Sequence, residues 1–181
     1  MDEESFCMYI GRLFSRRPDV YEGIGDDAAV LDLHLPGDCL FLAAADQVLS
    51  NVHYTEDTAP ELVAAKLLKR NISDIAAMGG TPSHAMVTLA LNPMPEDWMK
   101  RFHEGLEACA SEWGVSVIGG DIARLPQKGQ VCSLSILGTV QKKKLCLRRN
   151  AKPFDWLYAT GCFGNSFASG WHLNFEPRVK A

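Results

Sequence analysis

Apolar side chains recur at helical spacing in three stretches and run as strands through most of the rest of the chain. Phe6, Ile10, Leu13 and Phe14 fall on one side of a helix over residues 3–16. Ala28 to Leu33 reads as a short strand, followed by the turn residues Pro36-Gly37-Asp38. Cys39 to Ala45 is almost continuously apolar, as a buried strand is, and ends at Asp46. From Pro60 to Met78, the residues Ala65, Leu68, Ile72 and Ile75 form one stripe of a long helix. Pro60 suits its first turn, and Gly79-Gly80 with Pro82 stops it. Ala85 to Leu91 is another strand. Pro95 opens a second long helix, with Trp98, Phe102, Leu106, Cys109 and Trp113 on one face. Val115 to Ile118, Val131 to Val140 and Trp156 to Thr160 complete the strands. The order α-β-β-α-β-α-β-β-β predicts an α+β fold, a mixed β-sheet with long helices on one face. The helices over 60–78 and 97–113 serve as crossover connections.

The polar positions that interrupt this pattern carry the candidate chemistry. Asp26 and Asp27 follow the glycine loop Gly23-Ile24-Gly25, and Asp46 ends a buried strand. Asp74 precedes the glycine break after the first long helix, and Asp121 follows Gly119-Gly120. Each has a structural alternative. Asp26 or Asp27 can tighten a turn, Asp46 can cap a loop, Asp74 can pair with Arg70 four residues earlier, and Asp121 can sit in a turn. Acids at strand ends instead point into the crevice where ligands collect. Carboxylates gathered there repel one another unless cations neutralise them. An oxygen-only donor set without a His/Cys cluster selects a hard ion, Mg²⁺ before Zn²⁺, with phosphate completing its shell. The pattern points to ATP chemistry without a P-loop, since the chain has no G-x-x-x-x-G-K-[ST] run.

Composition narrows the function classes. The 181 residues carry a formal net charge of −4, which disfavours general nucleic-acid binding. Lys142-Lys143-Lys144 with Arg148 and Arg149 is the one basic cluster, either a solvated turn or a site for phosphate. No C-x-x-C pair occurs among the six cysteines, which fit a reducing cytoplasm. No apolar run approaches the ~18 residues that span a bilayer.

Four segments resemble the thiamine-monophosphate kinase family, in family order and over nearly the whole chain. They are Gly23-Ile24-Gly25-Asp26-Asp27-Ala28-Ala29-Val30-Leu31; Asn71-Ile72-Ser73-Asp74-Ile75-Ala76-Ala77-Met78-Gly79-Gly80-Thr81-Pro82; Gly119-Gly120-Asp121 with Arg124; and Ala151-Lys152-Pro153 before Asp155, with Thr160-Gly161, Gly164 and Ser166. The wider superfamily includes aminoimidazole ribonucleotide synthetase, selenophosphate synthetase and a hydrogenase-maturation protein. The resemblance implies phosphorylation of thiamine monophosphate by ATP, with Mg²⁺, in a homodimer joined through its strands. It matches Asp27, Asp46, Asp74 and Asp121 to magnesium ligands, Gly120 and Asp121 to the nucleotide contact, Arg148 to the ATP phosphates, and His53 to the substrate. It also implies an amino-terminal Mg/ATP domain over 1–150, with 151–181 as the start of a truncated carboxy-terminal domain. Two departures stand out. Hydroxyl residues usually flank the aspartate matching Asp46, but here the segment is Ala43-Ala44-Ala45-Asp46-Gln47. The family's second domain, which completes the cleft, has no counterpart in these residues. The alternatives are another ATP-dependent synthetase of the superfamily and a non-catalytic nucleotide-binding or dimerising half-domain.

Overall fold

A single mixed sheet of six strands carries two long helices on one face. The computed structural model describes residues 9–11, 13, 14 and 17–159. The strands are β1 (Val20–Glu22), β2 (Ala29–Leu35), β3 (Cys39–Leu49), β4 (Thr81–Asn92), β5 (Ser116–Arg124) and β6 (Gly129–Gln141), in the order β1-β2-β3-β6-β4-β5. β4 and β5 are parallel, and every other neighbouring pair is antiparallel. Helix α1 (Pro60–Ala77) joins β3 to β4, which run parallel with β6 between them. Helix α2 (Glu96–Trp113) joins β4 to β5. Both are crossover connections, as the sequence predicts.

The helices sit on the sheet because alternate strand positions and one stripe of each helix are apolar. Leu40, Leu42 and Val48 of β3, Val87 and Leu89 of β4, and Leu134 and Ile136 of β6 are buried. Opposite them lie Val63, Leu67, Leu68, Ile72 and Ile75 of α1 and Phe102, Leu106 and Cys109 of α2. Trp98 and Trp113, at the ends of the expected α2 face, are partly buried against the same core, and Trp98 stacks on Phe102 at 5.2 Å. α1 ends in a Schellman turn. Gly79 N–H donates to the Ala76 carbonyl (2.9 Å) and Gly80 N–H to that of Ile75 (3.0 Å). Gly79 has φ +73°, and a Cβ there would also run into the Lys144 carbonyl. The turn fixes where the last turn of α1, with Asp74, points.

Several boundaries differ from the expected ones. β3 continues to Leu49, so Asp46 lies within the strand and not at its end. Pairing with β6, unbroken from Cys39–Gln141 to Leu49–Val131, carries it past that charge. β5 reaches Arg124 through parallel pairing with β4, so Gly119-Gly120-Asp121 is strand and not a following loop. β4 begins at Thr81, and the three-residue β1 was not foreseen. Residues 156–159 form no strand. Trp156, Leu157 and Tyr158 are fully or almost fully exposed, and a short apolar run without a pairing partner cannot be a strand. Residues 9–11 and 13 are helical, as expected; the rest of the 3–16 helix and Gly161 to Ser166 lie outside the described residues. Among the described residues, no helix is long and apolar enough to cross a membrane.

Candidate active site

Three aspartates from three elements lie within electrostatic reach of one another beside α1. Asp27 comes from the loop before β2, Asp46 from β3, and Asp74 from the last turn of α1. The half-buried Asp74 carboxyl is pushed up from 3.8 to about 6. Burial is the largest cause, followed by the negative charges of Asp46 and Asp27; the charges of Arg70 and Arg148 oppose the rise. The three acids therefore share one electrostatic environment, although they are 19 to 47 positions apart in the chain.

Each of the other two acids already carries a guanidinium. Arg148 lies on Asp27, with its Nε 3.3 Å from Oδ2 and its Nη2 on Oδ1. Asp26 has a structural duty instead. Its side chain is only 6% exposed, and it accepts the N–H of Asp27 (3.0 Å) and the backbone N–H of Arg148 (3.1 Å). It thus ties the glycine loop to the 3₁₀ turn Arg148–Asn150. Asp46 accepts Arg70 Nε–H on Oδ2 (2.7 Å) and the Gln47 N–H on Oδ1 (2.8 Å). Its own N–H donates to Asn71 Oδ1 at 3.0 Å. Asn71 is completely buried, and its amide also donates to the Leu67 carbonyl (2.9 Å), so α1 is fastened to the middle of β3. Arg70 goes to Asp46 and not, as helical spacing suggests, to Asp74. The contributions of Arg70 and Asn71 had no sequence signal, because their partner lies on another element 24 and 25 positions away.

His53 stands in the turn after β3, where its Nδ1 accepts the Leu49 N–H (3.0 Å) and Lys66 donates to its carbonyl. An accepting Nδ1 leaves the proton of a neutral ring on Nε2. Gly120 and Asp121 lie across the sheet, on edge strand β5. Asp46, Leu134, Val87 and Gly120 form one transverse row of paired residues. Three strand spacings of ~4.8 Å put Gly120 about 14 Å from Asp46. Asp121, next to Gly120, is therefore set apart from Asp46 across the sheet. Asp121 and Gly120 line a groove of about 410 Å³ with Val87, Leu89, Val117 and His103. His103, on α2, donates from Nδ1 to the Met99 carbonyl (2.7 Å) and had no functional signal in the sequence. No three His, Cys, Asp or Glu side chains among the described residues form a ready-made metal cage. The oxygen-only chemistry of Asp27, Asp46 and Asp74 nevertheless fits Mg²⁺, which keeps water and phosphate ligands and needs few carboxylates.

The chain is similar to curated thiamine-monophosphate kinases. It is 36% identical over 160 residues to that of Salmonella typhimurium, covering 88% of this chain and 48% of the relative. It is 36% identical over 187 residues to that of Rhodopirellula baltica, covering 98% and 57%. The chain thus spans about half the length of the curated relatives it matches. Among solved structures, thiamine-monophosphate kinase from Stenotrophomonas maltophilia is 32% identical with a TM-score of 0.56, over 80% of this chain and 44% of that one. AaThiL complexed with AMPPCP and TMP shares the fold at a TM-score of 0.71 and 24% identity, over 83% and 45%. The family model described as "AIR synthase related protein, N-terminal domain" matches residues 25–140, which include Asp27, Asp46, Asp74 and Asp121 and stop before Arg148. By that match, the chain belongs to the family of AIR synthase related proteins, through their N-terminal domain.

Proposed function

We propose that this chain is the nucleotide- and magnesium-binding part of a thiamine-monophosphate kinase. The observation that carries the reading is that the charges of Asp27 and Asp46 act on Asp74, with Arg148 on Asp27, in a chain 36% identical to curated enzymes of that name. The acceptor phosphate oxygen would attack the γ-phosphorus of ATP as the bond to the β-phosphate oxygen breaks, giving thiamine diphosphate and ADP. Two anions must meet, so positioning and charge neutralisation supply most of the catalysis. Asp27, Asp46 and Asp74 would hold Mg²⁺, which when bound neutralises phosphate charge. Arg148 would leave Asp27 for the ATP phosphates. Gly120 and Asp121 would serve the nucleotide from the β5 groove, with Asp121 also offering a metal ligand, and His53 would contact the thiamine phosphate. On this reading residues 1–150 form the Mg/ATP domain, 151–181 begin a further domain, and the protein works in the cytoplasm.

The test is AMPPCP binding to the 181-residue chain by calorimetry, with and without Mg²⁺, then with thiamine monophosphate added. Binding that requires Mg²⁺ is expected. If AMPPCP does not bind in Mg²⁺, the reading fails.

A homodimer belongs to the same proposal. Met86 on β4 and Ile118 and Ile122 on β5 are exposed, and among the described residues β5 is an edge strand of nine residues with no partner on its outer side. A second copy would cover both liabilities. Sedimentation at micromolar concentration should therefore give twice the 19.9 kDa chain mass. A single monomeric species there would count against it.

A further inference from the structure

Asp46 comes to the site with a cation already on it. Arg70 Nε–H lies 2.7 Å from Oδ2, while the Gln47 N–H occupies Oδ1. The adjoining Asn71 takes the Asp46 N–H, so two consecutive residues of α1 hold both the carboxylate and the main chain of Asp46. The pair is partly buried, with side-chain exposures of 35% for Arg70 and 27% for Asp46. Arg148 on Asp27 differs, being 64% exposed and mounted on a three-residue 3₁₀ turn. One guanidinium is carried by a helix of 18 residues, and the other by an exposed short turn.

We propose that Arg70 is a built-in cation of the magnesium site: a positioning residue that holds Asp46 and keeps one of its oxygens from a metal ion. This rests on the magnesium reading of the Asp27, Asp46 and Asp74 group. The charges favour it. Asp27, Asp46 and Asp74 are three acids served by two guanidiniums, and Arg70 is the one that the proposed reaction leaves in place. Ala45 and Gln47 offer no hydroxyl beside Asp46, so Arg70 and the Gln47 N–H are the groups that attend its carboxylate.

Mn²⁺ titration followed by electron paramagnetic resonance, on the full 181-residue chain, tests this with Mn²⁺ as the probe. Arg70→Met retains helix propensity and side-chain bulk while removing the charge. It should bind Mn²⁺ about tenfold more tightly or take one more ion, as expected when a like charge a few ångströms from the metal disappears. Mg²⁺ should also raise its melting temperature more than it raises the parent's. Arg70→Lys should behave as the parent, and Arg70→Gln should repeat the Met result if that variant folds poorly. A Met or Gln variant with the parent's Mn²⁺ affinity and count, or a weaker affinity, overturns the proposal. If the parent binds Mn²⁺ with AMPPCP, that result leaves the magnesium reading intact. If neither the parent nor the variants bind Mn²⁺, both fall together.

Discussion

In chelator at pH 8, the Asp74→Asn chain is expected to melt above the parent, and in Mg²⁺ to bind nucleotide less well. The first effect follows from the raised carboxyl pKa of about 6, due to burial and then to the neighbouring charges of Asp46 and Asp27. A carboxyl whose pKa is higher in the folded than in the unfolded chain stabilises the fold only while protonated. Its contribution is complete below the unfolded value of 3.8 and is lost as the pH rises through about 6. Above that pH the parent carries the full repulsion and the Asn variant does not. Discounted for partial exposure, the difference is about 1–2 kcal/mol, or ~2–8 °C in melting temperature for a chain of this size. Below pH 4 the two should converge. On the proposed reading the second effect is the loss of one charge from the carboxylates that would hold Mg²⁺, worth ~1–3 kcal/mol, so the Kd for AMPPCP in Mg²⁺ should rise by roughly 5- to 150-fold. Thermal unfolding from pH 4 to 8 in chelator, with calorimetry in Mg²⁺, measures both. If the variant has the parent's pH profile and nucleotide affinity, Asp74 is an ordinary surface acid at a helix end.

Gly120→Ala should lower stability far more than Gly119→Ala. A Cβ on Gly120 would collide with the carbonyl, carbonyl carbon and amide nitrogen of Val87, all backbone of the parallel neighbour β4. Backbone within a sheet cannot move aside as a flexible side chain can. The cost is about 3 kcal/mol, or ~6–12 °C in melting temperature. At Gly119 nothing lies within 4 Å of the same added atom, so Gly119→Ala should stay within about 1 kcal/mol of the parent. Parallel thermal melts decide the matter. Equal losses at both positions would mean that β5 does not approach β4 this closely. The sequence suggested a nucleotide role for Gly120, but the close approach of β5 to β4 gives that glycine a packing role as well.

That pair of glycines shows where the sequence was legible and where it was not. The long helices were readable because eighteen residues give an apolar stripe several repeats. Phe102, Leu106 and Cys109 lie where their spacing placed them. The acids stood out in the sequence because each interrupts an apolar pattern, but Asp121 lies across the sheet from Asp46. What holds them was not readable. Asn71 and Arg70 find Asp46 across the gap between α1 and β3, a contact made by tertiary packing. Helical spacing offered Arg70 a nearer partner in Asp74, and the fold chose the other. Strand ends failed for a related reason. Pairing with β6 extends β3 beyond its apolar run, and pairing with β4 makes a strand of the Gly119–Asp121 segment.

The position of β6 has a consequence for how the chain acquires its shape. β6 lies between β3 and β4, yet it is the last of the described strands to be synthesised. Until residues 129–141 arrive, the future sheet is two pieces, β1-β2-β3 and β4-β5. Their eleven- and twelve-residue edges, on β3 and β4, have no partner. At a translation rate of about 5–20 residues per second, the interval between the end of β4 and the start of β6 lasts about 2–8 s. Bare edges of that length are templates for pairing with other chains, and closing distant strands is intrinsically slow. The nascent chain therefore passes through a window in which it is most prone to aggregate, and the arrival of its central strand closes that window.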